Sequence, residues 1–86
     1  MFVILVYDCA QKKDRKALKI CRKYLIHIQN SVFEGELSYK ALTRLKNELY
    51  NVLDAEKDSL IIYEFENNRN VSKTEYGIKA QDFSFI

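Results

Sequence analysis

At 86 residues the chain has room for one domain with one small core, and a 48% hydrophobic content that includes six tyrosines and five phenylalanines is high for that length. A net charge of +2 singles out no partner, and no apolar stretch is long enough to span a membrane. Cys9 and Cys21 lack metal-site spacing and are too few for a disulfide framework, so both read as reduced, interior thiols. No basic segment precedes the first apolar run and no small-residue cleavage site follows it, so the expected location is cytoplasmic.

The run Met1-Phe2-Val3-Ile4-Leu5-Val6-Tyr7-Asp8 is apolar up to its last residue and reads as a strand buried on both faces, central in its sheet. Asp8 stands where that strand leaves the core. After a short polar link, Asp14 offers an N-cap, and Ala17, Leu18, Cys21, Tyr24, Leu25 and Ile28 follow at helical spacing on one face. Arg15, Lys16, Lys19, Arg22 and Lys23 occupy the other face, while Ile20 falls off the apolar stripe.

Residues 27–37 read as two short strands, the second carrying Ser31-Val32-Phe33-Glu34, with Gly35 at a bulge or a positive φ. Ser38 then offers an N-cap, Leu37 and Leu42 form a possible hydrophobic staple, and Leu42, Leu45, Leu49, Val52 and Leu53 make a regular apolar stripe. A polar loop over 54–58 leads to a second strand apolar on both faces, 59–65, expected beside the first. Residues 66–70 have turn composition and 71–78 suit a last extended segment. The tail, 79–86, ends in Phe83-Ser84-Phe85-Ile86, too apolar for a free terminus, and is expected to pack on a second subunit.

This order predicts an α+β, ferredoxin-like β-α-β-β-α-β sandwich over residues 1–86 with an additional C-terminal strand, and the apolar tail and surplus of hydrophobic side chains predict a homodimer. Fold names no function. Half of the 14 basic residues lie within twelve positions, at Lys12, Lys13, Arg15, Lys16, Lys19, Arg22 and Lys23, which is the footprint of a polyanion-binding face or simply of a solvated helix. Asp8 has two readings: a carboxylate that caps a turn or pairs with lysine, or a ligand for Mg²⁺, which two copies related by a two-fold axis would complete. Tyr7, Tyr24 and Tyr63 read as core or interface aromatics, Ser31 as a local backbone partner, and His27 as a residue at the first helix's end. No P-loop, dinucleotide fingerprint or catalytic triad occurs, and no ligand loop suits a small-molecule sensor.

Taken together, Val3-Ile4-Leu5-Val6-Tyr7-Asp8, Lys19-Ile20-Cys21-Arg22-Lys23-Tyr24-Leu25 and Ile28-Gln29-Asn30-Ser31-Val32-Phe33-Glu34-Gly35 resemble the CRISPR-associated Cas-two family, partner of the CRISPR spacer integrase. The resemblance runs from Met1 to about Ile78. It implies a ferredoxin-like homodimer in which both copies of Asp8 face one Mg²⁺ or Mn²⁺. Arg15 and Phe33 then fall at positions tied to activity, Ser31 at the motif serine, and His27 and Asn30 depart from common arginine and tyrosine. The implied function is metal-dependent cleavage of single-stranded RNA or duplex DNA, acting with the integrase subunits in spacer acquisition. The alternative is a non-catalytic dimer whose basic helices, Lys19 and Arg22 foremost, hold DNA in the integration complex.

Overall fold

The computed structural model of the chain describes residues 1–66 and 70–78. In chain order the elements are β1 (Phe2–Asp8), α1 (Gln11–Tyr24), β2 (Ile26–Gln29), β3 (Val32–Glu36), α2 (Tyr39–Tyr50), β4 (Ser59–Phe65) and β5 (Val71–Gly77). The strands form one five-stranded antiparallel sheet in the order β2-β3-β1-β4-β5, with β1 central and β4 beside it. This is the expected α+β plan with the added strand, β5, on the β4 edge. The tail over 79–86 lies outside the described residues, so its packing has no structural account here.

Alternation along β1 turns Val3, Leu5 and Tyr7 to the helices, where they meet Phe33 of β3, Leu60 and Ile62 of β4, Ala17 and Cys21 of α1, and Leu42, Leu45 and Leu49 of α2. Each such large side chain contributes roughly 1.5–3 kcal/mol on burial. Helix α2 starts where expected but stops at Tyr50, so Val52 and Leu53 of the expected stripe lie past its end. Ser38 accepts the Ala41 N–H at 3.1 Å, and Leu37 and Leu42 are both buried, as a staple requires.

Ile28, expected on the apolar stripe of the first helix, lies past its end and exposed in β2, and four further local expectations change. Asp14 does not cap α1: the helix starts three residues earlier, its N-cap is Ala10, and Asp14 lies inside the first turn, where it accepts the Tyr7 hydroxyl at 3.3 Å. Ser31 is not in a strand but in the two-residue turn between Gln29 and its partner Val32. In that turn Asn30 has φ 44°, a left-handed conformation that asparagine tolerates better than most residues. The register shift falls between His27 and Gln29 of β2, and Gly35 is a plain strand residue. What Gly35 permits is close approach, since a Cβ there would sit 3.2 Å from Leu25 Cδ2. His27 belongs to β2 and faces the core side, not the helix end.

Among the described residues no helix covers the other face of the sheet. Its cross-strand rows are Val71, Phe65, Phe2 and Glu36; Lys73, Tyr63, Ile4, Glu34 and Ile26; Glu75, Ile61, Val6 and Val32; and Gly77, Ser59 and Asp8. The middle of this face is apolar, with Phe2 and Phe65 rings 6.1 Å apart; Val6 and Ile61 are already buried there, while Ile26 and Val71 at its edges are exposed.

Candidate nucleic-acid and metal site

Asp8 ends the last of those rows. The two-residue period of β1 places it on the open face with Phe2, Ile4 and Val6, opposite in direction to Tyr7. Its side chain is exposed, and among the described residues no ion pair engages it.

Behind Asp8 the backbone is rigidly supported. The Tyr7 ring is buried and stacks on Phe33 with centroids 5.9 Å apart, and Phe33 in turn stacks on His27 at 4.5 Å. Burial, then the adjacent Asp14 carboxylate, raises the Tyr7 hydroxyl's pKa well above its ordinary value, so it stays a neutral donor to Asp14. The Tyr7 N–H donates to the Ser31 carbonyl at 3.2 Å. Tyr7, Ser31 and Phe33, singled out from the sequence, therefore meet beside Asp8. Phe33 has no exposed surface, so what it offers the site is packing that fixes Tyr7.

His27 completes the stack. In the tautomer protonated at Nε2 it donates to the Asn30 carbonyl, and its Nδ1 accepts from the Arg22 guanidinium at 3.4 Å.

The seven basic residues do not form one equivalent set. Lys12, Arg15, Lys16, Lys19 and Arg22 are exposed on α1 and form no salt bridge among the described residues. Lys23 is paired with Glu48, which the Tyr24 hydroxyl also reaches, and this contact lowers the Glu48 pKa. Lys13 turns inward to Asp58, with Nζ 2.6 Å from Oδ2. Nothing brings Arg15 into contact with Asp8 among the described residues. The off-stripe Ile20 meets Val52 in the lining of a shallow cavity that Lys16, Lys19 and Lys23 also line.

Asp58 is the residue that pattern reading missed. Within a polar loop it looks solvated, yet it is 1% exposed and accepts from Ala10 N–H, Asp54 N–H and the Lys13 ammonium. Burial opposes its charge, but Lys13 and the two amides outweigh that and hold its carboxyl below the ordinary carboxylate value. The available signal is indirect: the N-cap of α1 is Ala10, which has no side-chain acceptor, so the orphan N–H groups at this end need one from elsewhere. Cys9, half-buried beside this turn, has its thiol pushed up to about 11 by burial and then by Asp14. Cys21 is pushed up to about 12 by burial, and both cysteines are free thiols of low reactivity.

Residues 1–73 match the family model for CRISPR associated protein Cas2. The chain belongs to the Cas2 family. A curated relative from Thermodesulfovibrio yellowstonii, named CRISPR-associated endoribonuclease Cas2 3, is 42% identical over 80 residues, covering 93% of this chain and 91% of its own. The CRISPR-associated endoribonuclease Cas2 of Thermotoga maritima is 40% identical over 86 residues, covering 100% of this chain and 99% of its own. A solved structure described as a crystal structure of Cas2 superposes with a TM-score of 0.75 at 35% identity, covering 100% of this chain and 97% of that one. The Cas2 fold thus agrees with the strand order found here. Among the described residues of this Cas2 chain, no helix is long and apolar enough to cross a membrane.

The donor set suits only part of a metal site. Among the described residues no group of three or more His, Cys, Asp or Glu side chains converges to hold an ion. Asp8, which forms no ion pair among the described residues, is a hard oxygen donor of the type Mg²⁺ and Mn²⁺ take, but one carboxylate by itself is a poor site for either.

Proposed function

We propose that the chain acts in CRISPR spacer acquisition as a cytoplasmic homodimeric, metal-dependent endonuclease on single-stranded RNA or duplex DNA, working with integrase subunits. The observation that carries this reading is the position of Asp8, an exposed carboxylate without an ion pair among the described residues, on the same sheet face as Phe2, Ile4 and Val6. An apolar sheet face that no helix covers among the described residues favours burial against a second copy, and in a two-fold contact only residues beside the axis meet their own symmetry mates. With the axis passing beside the rim of that face, Asp8 would approach Asp8 of the partner subunit, and the pair would hold one Mg²⁺ or Mn²⁺. When bound, such an ion supplies charge neutralisation on a phosphodiester and acidifies water. Asp8 contributes its carboxylate oxygens, Tyr7 and Phe33 keep its strand end rigid, and Ser31 anchors Tyr7 through its carbonyl. Arg15, Lys12, Lys16, Lys19 and Arg22 supply phosphate contacts that carry no base readout.

The names of the relatives support cleavage of RNA as the first activity to examine. The test is cleavage of single-stranded RNA and duplex DNA in Mg²⁺ by wild type and Asp8→Asn. Loss of cleavage by about 100-fold or more in a folded Asp8→Asn dimer is expected, since the carboxylate charge is what a divalent ion requires. Wild-type rates in that variant would sink the reading. The basic α1 face favours a second reading, a DNA-holding dimer without hydrolysis, which is selected if neither nucleic acid is cut while duplex binding persists.

A further inference from the structure

A carboxylate as buried as Asp58 persists only when its lone pairs are matched, and its partners here belong to three separate segments. Oδ1 accepts from Ala10 N–H at 3.2 Å, and Oδ2 accepts from the Lys13 ammonium at 2.6 Å and from Asp54 N–H at 2.7 Å. Its main-chain carbonyl accepts from Ile78 N–H at 3.0 Å at the end of β5. The next residue, Ser59, is the cross-strand partner of Asp8. Cys9 and Ala10 alone separate β1 from α1. Asp8 is therefore held beside Ser59 on one side and followed, two residues on, by an amide bonded to Asp58.

We propose that Asp58, with Lys13, is a positioning residue for Asp8: it locks the β1–α1 turn so that Asp8 stays at a fixed place on the rim of the open sheet face. The inference rests on the reading of Asp8 as half of a two-fold metal site. Symmetry makes the lock matter, because a displacement of the turn occurs in both subunits and changes the separation of the two carboxylates by up to twice its size. A small divalent ion tolerates little of that, since its oxygen distances are confined to about 2.0–2.1 Å for Mg²⁺. Lys13 is thereby removed from the phosphate-facing set and joined to the support of the site.

The experiment uses the full chain with Asp58→Asn, which keeps size and one acceptor but removes the charge facing Lys13, and Lys13→Met, which leaves the carboxylate in place. Two readouts accompany thermal melting: the iodoacetamide alkylation rate of Cys9, with buried Cys21 as internal reference, and Mn²⁺ affinity from the spin resonance of the free ion. A core variant in α2, Leu42→Val, controls for general loss of stability. Loosening the turn should raise the Cys9 rate in Asp58→Asn by about tenfold or more, as expected for losing charged hydrogen bonds. Mn²⁺ affinity should weaken by about tenfold, the usual cost of removing a group that supports a ligand. Lys13→Met should move both readouts in the same direction, and Leu42→Val should move neither. A folded Asp58→Asn chain with wild-type Cys9 rate and wild-type Mn²⁺ affinity overturns the proposal; if Asp58→Asn does not fold, Lys13→Met decides in its place. Should wild type and Asp8→Asn take up Mn²⁺ equally, or neither take it up, the metal reading of Asp8 fails and the positioning role falls with it. The Cys9 rate then still reports whether Asp58 locks the turn.

Discussion

The division of the basic helix into free and paired cations can be measured. In duplex binding each phosphate neutralised by Lys or Arg contributes about 0.9 to the slope of log K against log salt, and about 0.7 on a single strand. Lys19 and Arg22 are exposed and form no salt bridge among the described residues, Arg22 contacting the His27 ring, so both cations are available to phosphate. Lys19→Ala/Arg22→Ala should therefore flatten the slope by about 1.8 for one engaged subunit, and by about 3.6 if both subunits of a dimer lie on one duplex. Over a fourfold rise in salt, the one-subunit figure reduces the loss of affinity by about tenfold. Lys23 is different, because Glu48 already compensates it. Removing the couple together, in Lys23→Ala/Glu48→Ala, should leave the slope unchanged. Fluorescence anisotropy on a labelled duplex between low and moderate salt gives both slopes, with circular dichroism confirming that each variant folds. Equal flattening by the two double variants, or none in Lys19→Ala/Arg22→Ala, would refute the assignment.

Three further outcomes follow from the geometry. Gly77 has φ 90° and its Cβ would fall 1.9 Å from the Asp58 carbonyl, so Gly77→Ala should lose roughly 2–3 kcal/mol by urea unfolding, from the positive φ and a broken hydrogen bond; a loss under about 0.5 kcal/mol contradicts the close approach. Ile4→Lys puts a charge in the middle of the open face without touching the helix-side core, and light scattering should show a monomer at micromolar concentration; a persistent dimer moves the interface elsewhere. The Asp58 carboxyl is held below its ordinary value, so its stabilisation is complete above the ordinary carboxylate pKa and is lost as pH falls through that value and on through the lowered one. Melting from pH 7 downward should show a smaller acid-induced loss in Asp58→Asn than in wild type, and parallel curves would deny Asp58 that role.

The strands and helices were legible wherever burial imposes a period on the residues. β1 and β4 are apolar on both faces because one side meets the helices and the other forms the open sheet face, and β4 runs from Ser59 to Phe65 as its composition indicates. Capping at Ser38 was legible because the acceptor and donor lie three residues apart, and the motif around Tyr7-Asp8 and Ser31-Val32-Phe33 carried the family. Hidden from the sequence were the relations between segments distant in the chain. Asp14 has the composition of a cap, yet α1 starts at Gln11 because Asp58, 48 residues beyond Ala10, supplies the acceptor. Lys13 and Lys19 are the same residue on the same helix, and only the fold turns one toward a buried carboxylate and leaves the other in water. Periodicity shows which face a side chain occupies; whether a charge on that face finds a partner depends on what the tertiary structure packs against it.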